Sequence, residues 1–377
     1  MIQSPSFAFT VLAFLLVIGP LIFIHELGHY FVGRWFGVKA DVFSIGFGRE
    51  LFGWTDKRGT RWKVGWMPLG GYVKFKGDMN PASQADPEWL ALPPEERAQT
   101  FQAKPVWQRF LIVFAGPAVN FLFAILVFIA FFSVYGQPRT PAAIGPLQAG
   151  SPAAAAGFRA GDRVLSVDGD PVSRFEDMAI RIAMHPGQPM HFVVDRAGAQ
   201  VQLVATPAAD VRRDQFGNEA RVGRLGVPWP QREVVPLSPI EAVPAALDQT
   251  VRTVDLMVTG LWQIISGQRS VKEMGGPLKI AQFSGQQASL GWVEFILFMT
   301  AISINLGFIN LLPIPLLDGG HLLFYLIEGV RRRPLPPQAQ EWAFRTGLAA
   351  LLALMIFVTL NDLASFGVWS RLGDLIG

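Results

Sequence analysis

The sequence predicts a polytopic α-helical membrane protein with about four transmembrane helices and an inserted extracytoplasmic α+β domain. Composition is the first observation: 51% of the 377 residues are apolar and only 16% are charged, and the mean hydropathy is +0.33. A stretch at about 137–230 has short β-type runs separated by Gly, Pro and Asp. Four other stretches are long and apolar enough to span a bilayer: Phe7 to Ile24, Phe110 to Val134, Trp292 to Leu312, and Gly347 to Leu360 continuing at lower hydropathy to Phe366.

The first apolar run is interpreted as a retained helix. A cleaved signal peptide is the alternative, but the run has no charged segment before it and no small-residue cleavage site. It also ends in His25-Glu26-Leu27-Gly28-His29. Cleavage would remove that motif.

The motif predicts a zinc site. Two His residues four positions apart lie one turn apart on the same helix face, so both rings can reach one Zn²⁺, with Glu26 placed to act on a water. An ionisable group at bilayer depth is costly and therefore points to function. A chance match at a helix end is the alternative, but the chain has only five His residues.

A catalytic zinc needs a third protein ligand and an open position for water. The chain has no Cys, so the ligand must be His or a carboxylate. His185 and His191 fall in the β-rich stretch, which leaves Asp318 and His321. Both follow Pro313 and Pro315, which should break the third membrane helix, and such breaks are tolerated where the backbone lines a cavity. The alternative for Asp318 is an N-cap of the helix that restarts at Gly319.

Charge predicts the topology. Many Lys and Arg residues lie between the first two helices, from Arg34 to Arg109, and Arg331-Arg332-Arg333 lies between the last two. Both loops should be cytoplasmic, which places the termini and 136–290 outside. The net charge of +3 gives no reason to expect a nucleic acid partner; membrane lipid is the expected surroundings.

The connecting segments have patterns of their own. Alternation at Arg61 to Gly65 and Tyr72 to Phe75 predicts short strands joined by a turn at Lys57-Arg58-Gly59. A polar loop is predicted from Asp78 to Pro105. In the β-rich stretch, the segment SPAAAAGFRAGDRVLSVDG resembles a PDZ domain of the permuted bacterial type. A helix is predicted at Phe175 to Met184, with strands at His191 to Asp195 and Gln200 to Ala205. From Ser238 to Gln287 the chain should be amphipathic and helical, interrupted at Gly275-Gly276-Pro277, and lie near the outer membrane surface.

HExxH, NLLPIPLLDGGH and the PDZ segment between them together resemble the site-2 protease family, most closely the bacterial regulator-of-sigma-E protease group. GFG at Gly46 to Gly48, GWMPLGGYVKFKGD and FAGPAVNF extend the likeness over nearly the whole chain. The resemblance implies zinc held by His25, His29 and Asp318, Glu26 as catalytic base and Asn310 as a substrate-binding residue. It also implies that the first two strands form a membrane-reentrant β-hairpin. Enterobacterial members carry two tandem PDZ domains, whereas this chain has room for one.

The resulting prediction is an intramembrane zinc endopeptidase of the bacterial inner (plasma) membrane. The domains are a membrane part at 1–136, the extracytoplasmic PDZ domain at 137–230, an amphipathic linker at 231–290 and a second membrane part at 291–377. By resemblance, the substrate is a single-span protein, typically an anti-sigma factor. The alternatives are clearance of remnant signal peptides and a non-catalytic PDZ scaffold. The PDZ domain is expected to bind a peptide or to act as a size filter. Asn120, inside the second helix, has either a packing role or a role in the site.

Overall fold

The computed structural model describes residues 5–78, 91–172, 174–213, 219–228, 233–267, 270–271, 275–333 and 335–366. In chain order, the elements are α1 (Phe7–Trp35), β1 (Ala40–Thr55), β2 (Arg61–Phe75), α2 (Pro94–Arg97), α3 (Val106–Tyr135), β3 (Gln137–Arg139), α4 (Pro152–Ala155), β4 (Arg163–Val167), β5 (Asp170–Pro171), α5 (Phe175–Met184), β6 (Met190–Arg196), β7 (Ala199–Ala205), β8 (Ala208–Arg213), β9 (Glu219–Arg224), β10 (Glu233–Val235), α6 (Pro239–Ile265), α7 (Pro277–Leu290), α8 (Trp292–Leu311), α9 (Asp318–Arg331) and α10 (Pro337–Ser365).

Within the described residues, four helices are long and apolar enough to cross a membrane, as predicted: α1, α3, α8 and α10. Helices α3 and α8 match the expected runs closely, and α1 continues beyond the run that ends at Ile24, through the HExxH motif to Trp35. The fourth begins at Pro337, ten residues before the predicted start at Gly347, because polar residues of its first turns lower the hydropathy without interrupting the helix. The predicted loop from Asp78 to Pro105 also contains the one-turn helix α2.

The described residues form two compact units. The first lies within Met1–Val127, Leu247–Trp262 and Met274–Ala364, and the second within Phe128–Ala246 and Gln263–Glu273. In the first unit, α1 packs against α7, α8 and both strands of the β1–β2 pair. Its buried side is a stripe with a four-residue spacing, which is the spacing of one helix face: Ala13, Val17, Leu21, His25 and His29.

Strands β1 and β2 pair with each other, and both are bent. Segment 40–45 pairs with 71–75, while 50–55 pairs with 61–65. The predicted turn at Lys57-Arg58-Gly59 joins β1 to β2, whereas the two segments that it was predicted to join both lie in β2. Segment 61–64 also lies beside 42–45, so the four segments lie side by side with 50–55 and 71–75 at the outer edges. The bend in β1 falls at Gly46 and Gly48, where φ is +85° and +81°, a conformation that glycine adopts without steric cost.

The second unit contains the predicted α+β domain, here called the PDZ-like domain (β3 to β10). A four-stranded sheet, in the order β5-β4-β6-β7, packs its inner face on the buried side chains of α5, whose bounds are those predicted. The predicted strands correspond to β6 and β7. Strand β10 lies beyond residue 230 and pairs with β3, Arg139 opposite Glu233, so the chain enters and leaves this domain through one strand pair.

Candidate metal centre

Helix α1 is mostly apolar but carries three buried polar side chains. His25 and Glu26 are each 7% exposed and His29 is 9% exposed. The two imidazoles lie on the buried stripe of α1, with ring centroids 4.9 Å apart. Buried polar groups need partners, so this stripe must meet polar atoms of other elements.

Asp318 is positioned by an interruption of the helical structure between α8 and α9. The helix ends at Leu311, and Pro313 and Pro315 prevent its continuation. Leu316 has φ +82°, an uncommon backbone conformation for a side-chain-bearing residue, of the kind that clusters at functional sites. Helix α9 then begins with Asp318 as its first helical residue; Leu317 is the N-cap, and no side chain caps the helix. Asp318 therefore does not act as the N-cap of α9. Its carboxylate points towards His25 and His29.

Three ligand atoms converge. His25 Nε2 lies 3.1 Å from Asp318 Oδ2, His29 Nε2 lies 3.6 Å from the same oxygen, and the two ring nitrogens are 3.3 Å apart. A tetrahedral Zn²⁺ with ligands at about 2.0–2.1 Å requires ligand–ligand separations of about 3.3–3.4 Å. The triangle therefore has the size of one face of a zinc coordination tetrahedron, and these three groups form a possible metal-binding cluster among the described residues.

The hydrogen bonding also fits a cation. His29 Nδ1 lies 2.9 Å from the main-chain carbonyl of Ile112 in α3, and because a carbonyl only accepts, Nδ1 carries the proton. In its neutral form, this ring presents a lone pair at Nε2 towards Asp318 Oδ2, which is buried and has no hydrogen-bond partner among the described residues. Two acceptors that face each other in a buried site are stabilised by a cation between them.

Helix α3 forms one wall of the cluster. An ideal Cβ on Gly116 would lie 2.3 Å from His29 Nε2 and 2.9 Å from His25 Nε2, so a larger residue would enter the space of the ligand atoms. On the neighbouring turn, the Asn120 amide lies 3.0 Å from His25 Nδ1. Both contacts belong to the segment FAGPAVNF, in which the sequence alone does not indicate a role for Gly116.

Glu26 faces the β1–β2 pair. The main-chain N–H of Val73 and the side chains of His25, His29 and Asp318 all lie close enough to act electrostatically on its carboxylate. At Gly71 of the same edge segment, an added Cβ would lie 2.9 Å from Glu26 Cγ. The glycine therefore permits segment 71–75 to approach Glu26 closely, a contact that only the tertiary structure reveals.

The other sequence candidates lie outside the cluster. His321 packs against Phe344, with ring centroids 5.2 Å apart, and His185 and His191 belong to the PDZ-like domain. Asn310 lies in the last turn of α8 and is half-buried. Among the described residues, no hydrogen bond joins its side chain to the three ligand atoms.

The fold and the cluster define the class: a membrane protein with an HExxH helix and a partly buried carboxylate at a broken helix. The chain belongs to peptidase family M50, whose pattern matches residues 13–354. This confirms the resemblance to the site-2 proteases.

Similar proteins cover nearly the whole chain. "Putative zinc metalloprotease Atu1380" of Agrobacterium fabrum is 42% identical over 94% of this chain and 96% of its own length. "Metalloprotease MmpA" of Caulobacter vibrioides is 38% identical over 98% of this chain and 99% of its own length. Among solved structures, the PDZ domain of the SdrC-like protein from Listeria monocytogenes is 16% identical over 26% of this chain and 90% of its own, with a TM-score of 0.18.

Proposed function

We propose that this protein is an intramembrane zinc endopeptidase that cleaves single-span transmembrane proteins within or near the bilayer. The observation that carries the proposal is the triangle of His25 Nε2, His29 Nε2 and Asp318 Oδ2, with sides of 3.1–3.6 Å. It supports a zinc site with three protein ligands and one open position, the arrangement of catalytic zinc centres. When bound there, zinc lowers the pKa of a water molecule and polarises the scissile carbonyl.

Glu26 is the proposed general base. It takes a proton from the attacking water as oxygen adds to the carbonyl carbon. It returns that proton to the amide nitrogen as the C–N bond breaks, which leaves a carboxyl group and an amine. The main-chain N–H of Val73 interacts favourably with the carboxylate and does not compete for zinc. The backbone contact therefore supports a defined position for the base.

The substrate must be unwound, because a transmembrane helix holds its peptide groups in internal hydrogen bonds. Segment 71–75 is an outer edge of the β1–β2 pair and lies against Glu26. We propose that it adds the unwound substrate as a further strand, as other sheet edges do, and that Asn310 contributes an amide contact. The opposite edge exposes the large apolar side chains of Leu51, Phe52 and Trp54, and Trp66 is exposed at the bend of the pair. These side chains support a membrane-reentrant position.

The substrate proposed by resemblance is an anti-sigma factor, and the location is the bacterial inner membrane with the PDZ-like domain outside. The distribution of Lys and Arg supports that orientation. The PDZ-like domain has an apolar cavity of about 330 Å³ between α5 and residues 222–228, which supports binding of a peptide segment by this domain.

A substitution of Glu26 tests the chemistry. Purified Glu26→Gln, reconstituted with a single-span substrate, should bind one zinc per chain and cleave at least on the order of 10²-fold more slowly than wild type, because the base is removed and the ligands remain. Glu294→Gln, which changes an exposed carboxylate at the start of α8, is the matched control and should cleave normally. Cleavage by Glu26→Gln at the wild-type rate would refute the mechanism.

A pair of variants tests the third ligand. Asp318→Asn should weaken zinc binding, measured by chelator competition, because an amide is a poorer ligand than a carboxylate. His321→Ala should bind zinc as wild type does, since His321 packs against Phe344 and not in the cluster. If His321→Ala loses zinc and Asp318→Asn does not, the third ligand is His321 and not Asp318.

A further inference from the structure

Asn120 is a fully buried amide in the middle of α3, with 0% exposure. One of its two terminal amide atoms, assigned as Nδ2, lies 3.0 Å from His25 Nδ1. The other, assigned as Oδ1, is buried with no hydrogen-bond partner among the described residues. The main-chain carbonyl of Asn120 accepts a hydrogen bond of 2.9 Å from Ser303 Oγ of α8, so packing between the two helices uses the backbone and leaves the side chain for His25.

The zinc triangle determines the tautomer of His25. If Nε2 binds the metal, its lone pair is used there, and the neutral ring carries its proton on Nδ1. An amide N–H₂ group that faces Nδ1–H would place two donors 3.0 Å apart. Rotation of the amide by 180° exchanges its oxygen and nitrogen, which have nearly the same shape, and brings the acceptor to Nδ1–H.

His29 provides an internal comparison. Its Nδ1 is held by the Ile112 carbonyl, an obligatory acceptor, on the same helix α3. Metal-binding His residues usually donate their second N–H to an acceptor that fixes the ring and its tautomer. Helix α3 supplies this partner for His29 from the backbone. For Nδ1 of His25, the partner among the described contacts is a side chain, that of Asn120.

We propose that Asn120 is a positioning residue for the metal centre: its side-chain oxygen accepts the Nδ1 proton of His25 and holds the ring in the tautomer that presents Nε2 to zinc. This inference rests on the proposed zinc site. It assigns the site role, rather than the packing role, to the Asn120 side chain. It also predicts that the requirement at position 120 is an acceptor and not an amide as such.

The test compares zinc affinities of the full-length protein in detergent by competition with a chelator. Asn120→Leu, of similar volume and without an acceptor, should lose on the order of 10–100-fold in zinc affinity, the usual effect of removing such a partner. Asn120→Asp keeps an acceptor and should retain most of the affinity. Ser303→Ala removes the neighbouring interhelical hydrogen bond and should bind zinc as wild type does.

The tautomer has its own signature. In protein labelled with ¹⁵N at histidine, the zinc-loaded wild type should show a protonated Nδ1 for His25, assigned with His25→Gln, and Asn120→Leu should shift or broaden this signal. Each variant is first matched to wild type in elution profile and melting temperature. Equal losses in Asn120→Asp and Asn120→Leu, or a similar loss in Ser303→Ala, would overturn the inference. Absence of zinc binding by the wild type would refute the proposed function itself, whereas tight binding by Asn120→Leu would refute only the role of Asn120.

Discussion

Gly116 lies beside the histidine ligand atoms and Gly71 lies beside Glu26, so added methyl groups should have different effects. Gly116→Ala places a carbon 2.3 Å from His29 Nε2 and should weaken zinc binding strongly, as measured by chelator competition. Gly71→Ala places a carbon 2.9 Å from Glu26 Cγ; it should keep zinc and lose on the order of 10²-fold in cleavage rate, because displacement of a catalytic group by about 1 Å costs that much. Gly19→Ala, with no atom within 4 Å of the new carbon, is the control. If Gly116→Ala binds zinc as tightly as wild type, the position of α3 beside the ligand atoms is wrong.

At the residue scale, the sequence was sufficient where spacing along one element determines the geometry. His25 and His29 are one turn apart on α1, and their relation could be predicted from the motif. Elimination left both Asp318 and His321, and the resemblance to the site-2 proteases selected Asp318. The structure brings Asp318 to the pair. The contributions of Ile112, Gly116 and Gly71 could not be predicted. They depend on how α3 and segment 71–75 pack against α1, and no local pattern specifies that packing.

At the element scale, helices were predicted better than strands. A long apolar run requires a helix in a membrane, whatever its neighbours. Both segments predicted as strands lie in β2, and the residues of β1 did not predict a strand. The bent pairing that places 61–64 beside 42–45 is determined by non-local contacts. In the PDZ-like domain, the helix α5 and the strands β6 and β7 were predicted closely because turn residues separate short alternating runs.

The loop between α4 and β4 gives a pH-dependent prediction for the second unit. The Arg196 guanidinium donates two hydrogen bonds of 2.8 Å to Asp162, and the main-chain N–H of Arg159 donates a third. These bonds hold the pKa of the Asp162 carboxyl below its usual value. Its folded pKa thus lies below the unfolded value of about 3.9, so the stabilisation is complete above that pH and is lost as pH falls through the folded pKa.

Arg196→Gln should reduce this dependence. In the full-length protein, hydrogen exchange of peptides that cover residues 157–168, corrected for intrinsic rates, should be faster than in wild type at pH 6. The difference should shrink as the pH falls below 4. Arg181→Gln, which removes an ion pair to the exposed Asp170, should have little effect, as surface pairs contribute little. Equal exchange in Arg196→Gln and wild type at pH 6 would contradict the prediction.

At the scale of the whole molecule, the two units should have separable roles: the first carries every residue proposed for zinc binding or proton transfer, and the second should control which substrates are cut. The pairing of Arg139 with Glu233 brings the two ends of the inserted domain together. Residues 141–231 can therefore be replaced by a short Gly-Ser linker while β3 and β10 are kept. This deletion should still cleave a truncated substrate at the wild-type rate, because the metal centre is retained.

An intact substrate with a large outer domain distinguishes the two modes of control. If the domain is a size filter, the deletion variant should cleave this substrate. Ala179→Glu places a charge in the apolar cavity but keeps the bulk of the domain, so this variant should reject the substrate as wild type does. If the cavity binds a peptide that restrains the enzyme, both variants should cut it. Cleavage is followed by gel for each variant and substrate, with Glu26→Gln as the blank. Loss of a filter or of a restraint should leave the chemistry intact. A folded deletion variant that does not cleave the truncated substrate would therefore show that the PDZ-like domain is part of the catalytic architecture.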